Sequence, residues 1–343
     1  MYKLFRPILF LFSPESIHHI IVFFMKAMRY IPGLPCLLRK YFAVNDKKLE
    51  REVWGIKFPN PVGLAAGFDK DGEVFNEMGV FGFGFIEIGT VTPVAQKGNP
   101  KPRCFRLPID KAIINRMGFN NKGAEAAAKK LNKKHKGRLI IGGNIGKNTA
   151  TNNDDANRDY EHDFITLYNY VDYFVVNVSC PNVSNLCKLQ NKDELSGLLK
   201  VLVDQRRFQD VYKPILIKIS PDLSFEQIDE TLEIIQELGL DGIVATNTTT
   251  SREGLKTLSE QIKKIANGGL SGAPLTNRSL EIVRYIAEKT ENKLPIIGVG
   301  GIISTQDALN MLAAGASLIQ VYSGFIYEGP GFVKRINKQL LKL

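Results

Sequence analysis

Asn177, Cys180 and Asn182 set a thiol between two amides, the arrangement in this chain best suited to moving a proton on a polar ligand. They close a β-branched apolar run, Val175, Val176 and Val178, that reads as a buried strand. Pro181 cannot continue a ladder, so the strand stops there. In parallel α/β folds chemistry collects at the C-terminal ends of the strands. Buried amides cost free energy unless hydrogen-bonded, so two of them beside a thiol suggest a ligand that pairs with them. The plainer reading is a structural cysteine with turn-forming asparagines; the rest of the chain favours the first. None of the four histidines, His18, His19, His135 and His162, lies near a strand end, and no carboxylate pair suits glycosidic chemistry. Cys180 is therefore the proton-transfer candidate.

Other residues extend the pattern. The run Asn115, Arg116, Met117, Gly118, Phe119, Asn120, Asn121 adds amides after a second strand, and Asn144 and Asn247 end two more. Amides suit a flat heterocycle edged with alternating N–H and C=O groups, and Lys70 suits a negative charge on it. Lys218 lies within the apolar run Ile217–Ser220, where an unpaired ammonium is expensive. It either offsets the charge of an anionic cofactor such as a reduced flavin or forms an ion pair inside the fold. Gly298-Val299-Gly300-Gly301 and Tyr322-Ser323-Gly324 end consecutive strand runs, a placement that offers backbone N–H groups to a phosphate.

Eight strand-like runs must position these residues: 61–66, 85–90, 139–145, 173–179, 215–220, 242–247, 295–300 and 318–323. Helical spacing of Phe225, Ile228, Leu232, Ile235 and Leu238 predicts a helix over 225–238, and another over 305–314. Eight such units predict a (β/α)8 TIM barrel. Intervals 91–138 and 246–275 exceed one helix and loop, so they are expected to cover the C-terminal mouth. A doubly wound sheet is the alternative, but no GxGxxG opens the first unit.

The 343 residues, 44% hydrophobic, suffice for one large core, and 30 glycines without a period fit many strand-to-helix turns. The net charge of +10 is carried by scattered basic residues with no aromatic-interleaved patch, so nucleic acid is not the expected partner. Four cysteines form neither a CxxC pair nor a metal spacing, which predicts reduced thiols and no metal site. Residues 1–45 differ from the rest: apolar residues are punctuated by Lys3, Arg6, Lys26, Arg29, Arg39 and Lys40 against one acid, Glu15. Ser13-Pro14-Glu15 starts a helix that Pro32-Gly33 ends near Tyr30, and a second helix is expected from Leu34 to Phe42. No charge-free run approaches the roughly 20 residues of a spanning helix. No signal-peptide cleavage site follows the apolar run 7–12. The pair is expected to be an interfacial membrane anchor, the alternative being a helix pair docked on its own domain.

With these residues in place the chain resembles the dihydroorotate dehydrogenase family over nearly its whole length. The resemblance is carried by AAGFDKDGE, GFGFIEIGTVTP, NRMGFNN, NIGKN, NVSCPN, IKISPDLS, ATNTT, GGLSG, IIGVGG and IQVYSGF. It implies a (β/α)8 barrel that binds one FMN per chain and oxidises dihydroorotate to orotate in pyrimidine synthesis, with Cys180 as catalytic base. By the same resemblance Ala65, Ala66, Gly67, Phe68, Asp69, Thr90, Asn144, Asn177, Lys218, Thr246, Gly272, Gly301, Tyr322 and Ser323 contact FMN. Lys70, Asn115, Arg116, Met117, Gly118, Phe119, Asn177, Asn182, Asn247 and Thr248 contact the substrate.

Residues 1–45 resemble the membrane-associated, quinone-dependent class, with His18 and Arg106 at the quinone site and the barrel domain spanning 46–343. This implies a peripheral protein on the cytoplasmic face of a bacterial cell membrane, with no iron–sulfur partner subunit. Cys180 departs from that class, which usually has serine as its base; the soluble class usually has cysteine. The N-terminal segment and the Arg106 loop favour the quinone class. A soluble-class enzyme using fumarate or NAD, and a flavin-dependent RNA uridine reductase, are the alternatives.

Overall fold

The computed structural model describes residues 2–132, 139–180, 182 and 192–343. Pro181, His135 and Cys187 lie outside the described residues. Three helices come first: α1 (Tyr2–Leu11), α2 (Pro14–Met28) and α3 (Leu34–Phe42). A hairpin follows, β1 (Arg51–Val53) and β2 (Ile56–Phe58). Strand β3 (Val62–Leu64), the short helix α4 (Phe75–Met78) and strand β4 (Phe85–Val91) begin the main domain. The first insertion carries β5 (Val94–Gln96), β6 (Cys104–Leu107), β7 (Ala112–Asn115), β8 (Asn121–Gly123) and α5 (Ala124–Leu131). Next come β9 (Ile140–Ile145), α6 (Ala156–Leu167), β10 (Tyr173–Asn177), α7 (Lys192–Arg206), β11 (Ile215–Ile219), α8 (Phe225–Leu238) and β12 (Gly242–Ala245). The second insertion holds α9 (Ser259–Ile265) and β13 (Gly269–Gly272). The chain ends with α10 (Thr276–Lys289), β14 (Ile296–Val299), α11 (Thr305–Ala313), β15 (Leu318–Val321), α12 (Ser323–Glu328) and α13 (Phe332–Leu340).

Strands β3, β4, β9, β10, β11, β12, β14 and β15 form a closed parallel barrel, sealed where Ile319 of β15 registers with Val62 of β3. These are the eight strand runs expected from the sequence, their ends shifted by two residues at most. Side chains alternate along each strand. Ile86 and Ile88 face outward to the helices, while Phe85 faces the interior with Tyr173, Leu216, Val244 and Leu318. Phe58 from the hairpin plugs this apolar layer from the N-terminal end, edge-on to Phe85 at 5.3 Å. Each such side chain contributes about 1.5–3 kcal/mol by leaving water.

Helix α8 shows why the local reading succeeded. Ser224 and Gln227 form a reciprocal capping box, Gly239 closes the C-terminus at φ +64°, and Ile228, Ile234 and Ile235 face the core. The insertions do meet over the mouth: β13, β7 and β6 form a three-stranded antiparallel sheet pairing Leu270 with Ile114 and Ile114 with Phe105.

Both expected N-terminal helices are present, as α2 and α3, and residues 2–11 add a third before them despite Pro7. The anchors of α1 lie some three hundred positions away, out of reach of any local pattern. The Tyr2 hydroxyl donates to the Ile326 carbonyl at 2.5 Å and Arg6 to the Tyr327 carbonyl at 2.9 Å. Lys3 pairs with Glu328 at 3.3 Å. Among the described residues no helix is long and apolar enough to cross a membrane.

Candidate active site

The strand ends open into a cavity of about 550 Å³ that runs from the barrel mouth to α1 and α2. Beneath its floor lies an upper interior layer of the barrel, two residues beyond the apolar layer on β4, β9, β11 and β15. There Glu87, Asn144, Lys218 and Gln320 replace aromatic and aliphatic side chains, and all four are buried. The Thr90 hydroxyl donates to Asn144 Oδ1 at 2.6 Å, and Asn177 Nδ2 donates to Thr90 Oγ1 at 2.9 Å. Asn247 Nδ2 reaches Asn177 Oδ1 at 3.2 Å and Ser179 Oγ at 3.0 Å. The strand-end amides thus brace one another before any ligand arrives.

Cys180 lines this cavity, 8% exposed, while its neighbour Ser179 is fully buried and serves Asn247. Of the two side chains able to act as bases here, the thiol is the one presented to the site. Asn182 lines the same cavity, its Nδ2 donating to Asn115 Oδ1 at 3.3 Å, and Asn115 is set by its place at the end of β7 between Cys104 and Gly269. Lys70 Nζ donates to Asn120 Oδ1 at 2.5 Å. Burial, aided by nearby Arg103, pulls the Lys70 amine down to about 8, so it is poised to gain from an anionic ligand. Asp69 caps the turn before α4, accepting from the N–H groups of Glu73 at 2.7 Å and Val74 at 2.9 Å. Burial still raises its carboxyl to about 6.

Lys218 faces the cavity from the floor, 4.0 Å from Glu87 Oε1 and without a hydrogen bond among the described residues. Gln320 also lines the cavity, and its buried Oε1 has no hydrogen-bond partner among the described residues. A buried ammonium lacking acceptors fits a ring with carbonyl edges above it. At the far side Gly301 has φ +74°, and a Cβ there would meet Thr276 Cα at 2.2 Å, so only glycine lets this loop run against α10. Tyr322 and Ser323 border the same corner, and Ser323 Oγ lies 2.9 Å from Ser271 Oγ. The chain can hold a phosphorylated, planar cofactor here. Among the described residues no cluster of three or more His, Cys, Asp or Glu could hold a metal ion.

The structure brings together all the candidate residues named from the sequence except two. Asn144 lies beneath the cavity surface, where it links Thr90 to Glu87. Arg116 turns away: its guanidinium stacks over Phe105 at 4.8 Å and donates to the carbonyls of Pro102 at 2.9 Å and Asn267 at 3.3 Å. It ties the two insertions together, with its guanidinium turned away from the cavity. Glu87 was missed, although a charged residue in the apolar run GFGFIEIGT gives the same signal that singled out Lys218. Arg103 was also missed. It bonds Glu15 of α2 at 2.6 Å and the Asn99 carbonyl at 3.0 Å, and Asn99 in turn donates to the Asn182 carbonyl at 3.2 Å.

The outer part of the cavity is apolar and built largely by the N-terminal helices, with Phe10, Ile17, Val22 and Met25 on its wall. His18 packs edge-on against Phe68 at 4.9 Å. Arg106 lies over Phe10 at 4.5 Å and donates to the Phe12 carbonyl at 2.7 Å. Burial, with Lys70 and His19 nearby, lowers His18 to about 4. A histidine depressed in the fold supplies stability that is complete above its unfolded value near 6.5 and lost as pH falls toward 4. Wild-type stability is therefore expected to fall over that range relative to His18→Gln, by on the order of 3 kcal/mol at most, read as a lower melting temperature. Asp69, raised rather than lowered, acts in the opposite sense in both proteins and cancels in the difference. Parallel melting curves across pH 4–7 would remove His18 from the docking of α2.

A polar pocket at the C-terminal mouth of a (β/α)8 barrel, continued by an apolar channel walled by N-terminal helices, defines the class: a barrel enzyme with its site at the strand ends. The family model for dihydroorotate dehydrogenase matches residues 48–343, and the chain belongs to that family, which is flavin-dependent. It is 54% identical over 343 residues to a dihydroorotate dehydrogenase (quinone) of Christiangramia forsetii, covering 100% of this chain and 99% of that one. A protein of the same name from Trichodesmium erythraeum is 48% identical over 362 residues, covering 100% and 95%. A crystal structure of DHODH in complex with ferulenol from Eimeria tenella, 34% identical, matches with a TM-score of 0.86 over 96% of this chain and 91% of that one.

Proposed function

We propose that this chain oxidises dihydroorotate to orotate with FMN as cofactor and a membrane quinone as electron acceptor, in the de novo synthesis of UMP. One observation carries the reading: relatives named for the quinone reaction match the whole chain, N-terminal helices included, and those helices wall the channel that reaches the strand-end amides. The same observation weighs against fumarate or NAD as acceptor, and against an RNA substrate, despite the cysteine at position 180.

Cys180 takes the proton from C5 of dihydroorotate as hydride leaves C6, so two hydrogens are lost and a ring double bond forms. The strand-end turn residues, Gly301, Tyr322 and Ser323 among them, would hold FMN, which when bound would supply the acceptor for that hydride and the electron pair that quinone takes up. Lys70 meets the negative charge of the substrate, while Asn115, Asn182 and Asn247 orient its ring so that C5 faces the thiol. Glu15 and Arg103 fasten α2 to the same loop system, and His18 and Arg106 stand where a quinone would enter.

Residues 1–45 form the membrane-facing unit and 46–343 the catalytic barrel. Support comes from the apolar side chains that the helices leave in solvent: Leu4, Leu11, Phe23, Phe24 and Tyr30 are 65–84% exposed. The protein then sits on the cytoplasmic face of the membrane without spanning it. The test is a panel of acceptors offered with dihydroorotate: ubiquinone, menaquinone, fumarate and NAD. Turnover is expected with at least one quinone and not with fumarate or NAD; the reverse would overturn the proposal.

A further inference from the structure

We propose that Glu87 is a positioning residue that holds the Lys218 ammonium toward the cavity and, by its charge, sets the reduction potential of the bound flavin. The inference rests on the FMN reading above. Glu87 is fully buried on the interior face of β4, two residues beyond Phe85. A carboxylate there is costly unless its oxygens are occupied. Both are: Oε1 accepts from Asn144 Nδ2 at 2.8 Å and Oε2 from Gln320 Nε2 at 2.6 Å. These amides come from two different strands, β9 and β15, and lock the carboxylate in one orientation.

Lys218 completes the group. Were neutralisation of the lysine the only purpose, its Nζ would close on the carboxylate at ordinary ion-pair distance. It stays 4.0 Å from Oε1 instead, and keeps its donors for the cavity. Glu87 itself does not line the cavity, so it acts through Lys218 and through its field rather than by contact. An ammonium alone would strongly favour the negative charge that reduction brings to the cofactor. A buried carboxylate behind it weakens that preference, keeping the potential low enough for the electrons to leave for the quinone.

Glu87→Gln removes the charge and keeps the shape. Gln320 Oε1 now lacks a partner, so the Gln320 amide can turn to accept from the new NH2 group. The expected result is a holoprotein with near-normal flavin content whose flavin potential is more positive. The shift should be at least tenfold in the reduction equilibrium, about 30 mV for a two-electron couple. Glu87→Asp keeps the charge and withdraws it by one methylene, so it should shift the potential the same way but less.

The potentials are read by spectroelectrochemical titration of the full-length holoproteins, with melting temperatures alongside. A folded, flavin-loaded Glu87→Gln protein with the wild-type potential would overturn the inference. If that variant gives no holoprotein, a wild-type potential in Glu87→Asp overturns it equally. Flavin absorbance of the purified wild-type protein tests the FMN reading separately: its absence would remove both proposals, whereas unchanged potentials would remove this one alone.

Discussion

Replacing Cys180 with alanine is expected to slow dihydroorotate oxidation by about 10²–10⁴-fold, the usual contribution of a general base, while leaving flavin bound. The side chain borders the cavity with 8% exposure, while the floor is braced by bonds among Thr90, Asn144, Asn177 and Asn247 that alanine at 180 leaves in place. Cys180→Ser should retain part of the activity with its pH optimum moved upward. A thiol ordinarily titrates near 8.5, far below a hydroxyl, so serine reaches the active form only under more basic conditions. The decisive measurement is the rate of flavin bleaching by dihydroorotate in stopped flow, across pH. Wild-type bleaching in Cys180→Ala would transfer the base role elsewhere.

Deleting residues 1–45 should separate the two half-reactions. The truncated protein is expected to bind flavin and orotate, because every strand-end ligand lies beyond Asn60. Bleaching by dihydroorotate should survive. Reoxidation by a long-tailed quinone should fall by about tenfold or more, a loss of at least about 1.4 kcal/mol of transition-state binding. Phe10, Ile17, His18, Val22 and Met25 leave the channel wall together, and an apolar tail loses the surface that shields it from water. In the full-length chain, Arg106→Ala removes the cation over Phe10 and the donor to the Phe12 carbonyl. It should slow quinone reduction without releasing the protein from membranes. Full quinone activity in the truncated protein, or strong activity with fumarate, would instead support the soluble class that the cysteine resembles.

What the chain encodes locally was legible without coordinates. Strands announced themselves by short β-branched runs ending in Gly, Asn or Thr, because burial on both faces of a parallel strand demands apolar side chains up to its C-terminal edge. Helix α8 could be read from its capping box, its helical spacing and Gly239. Lys218 stood out as costly in an apolar run, Cys180 as a thiol between two amides and Lys70 as a match for a negative charge, and the structure brings all three to one cavity.

Long-range partners had to wait for the fold. Helix α1 carries Pro7 and was not among the expected helices, yet hydrogen bonds from Tyr2 and Arg6 to carbonyls of α12 hold it in place. Asn144 and Arg116 share the sequence character of ligand residues. The barrel closure places one beneath the floor, and the pairing of two insertions turns the other's guanidinium toward backbone carbonyls. Glu87 carried the same local signal as Lys218, but its significance depends on amides from β9 and β15 that meet it only when the sheet closes. Residue type and spacing determined which groups could do chemistry. Closure of the barrel decided which of them share a cavity, because that depends on strand order and register across the whole chain rather than on neighbours in sequence.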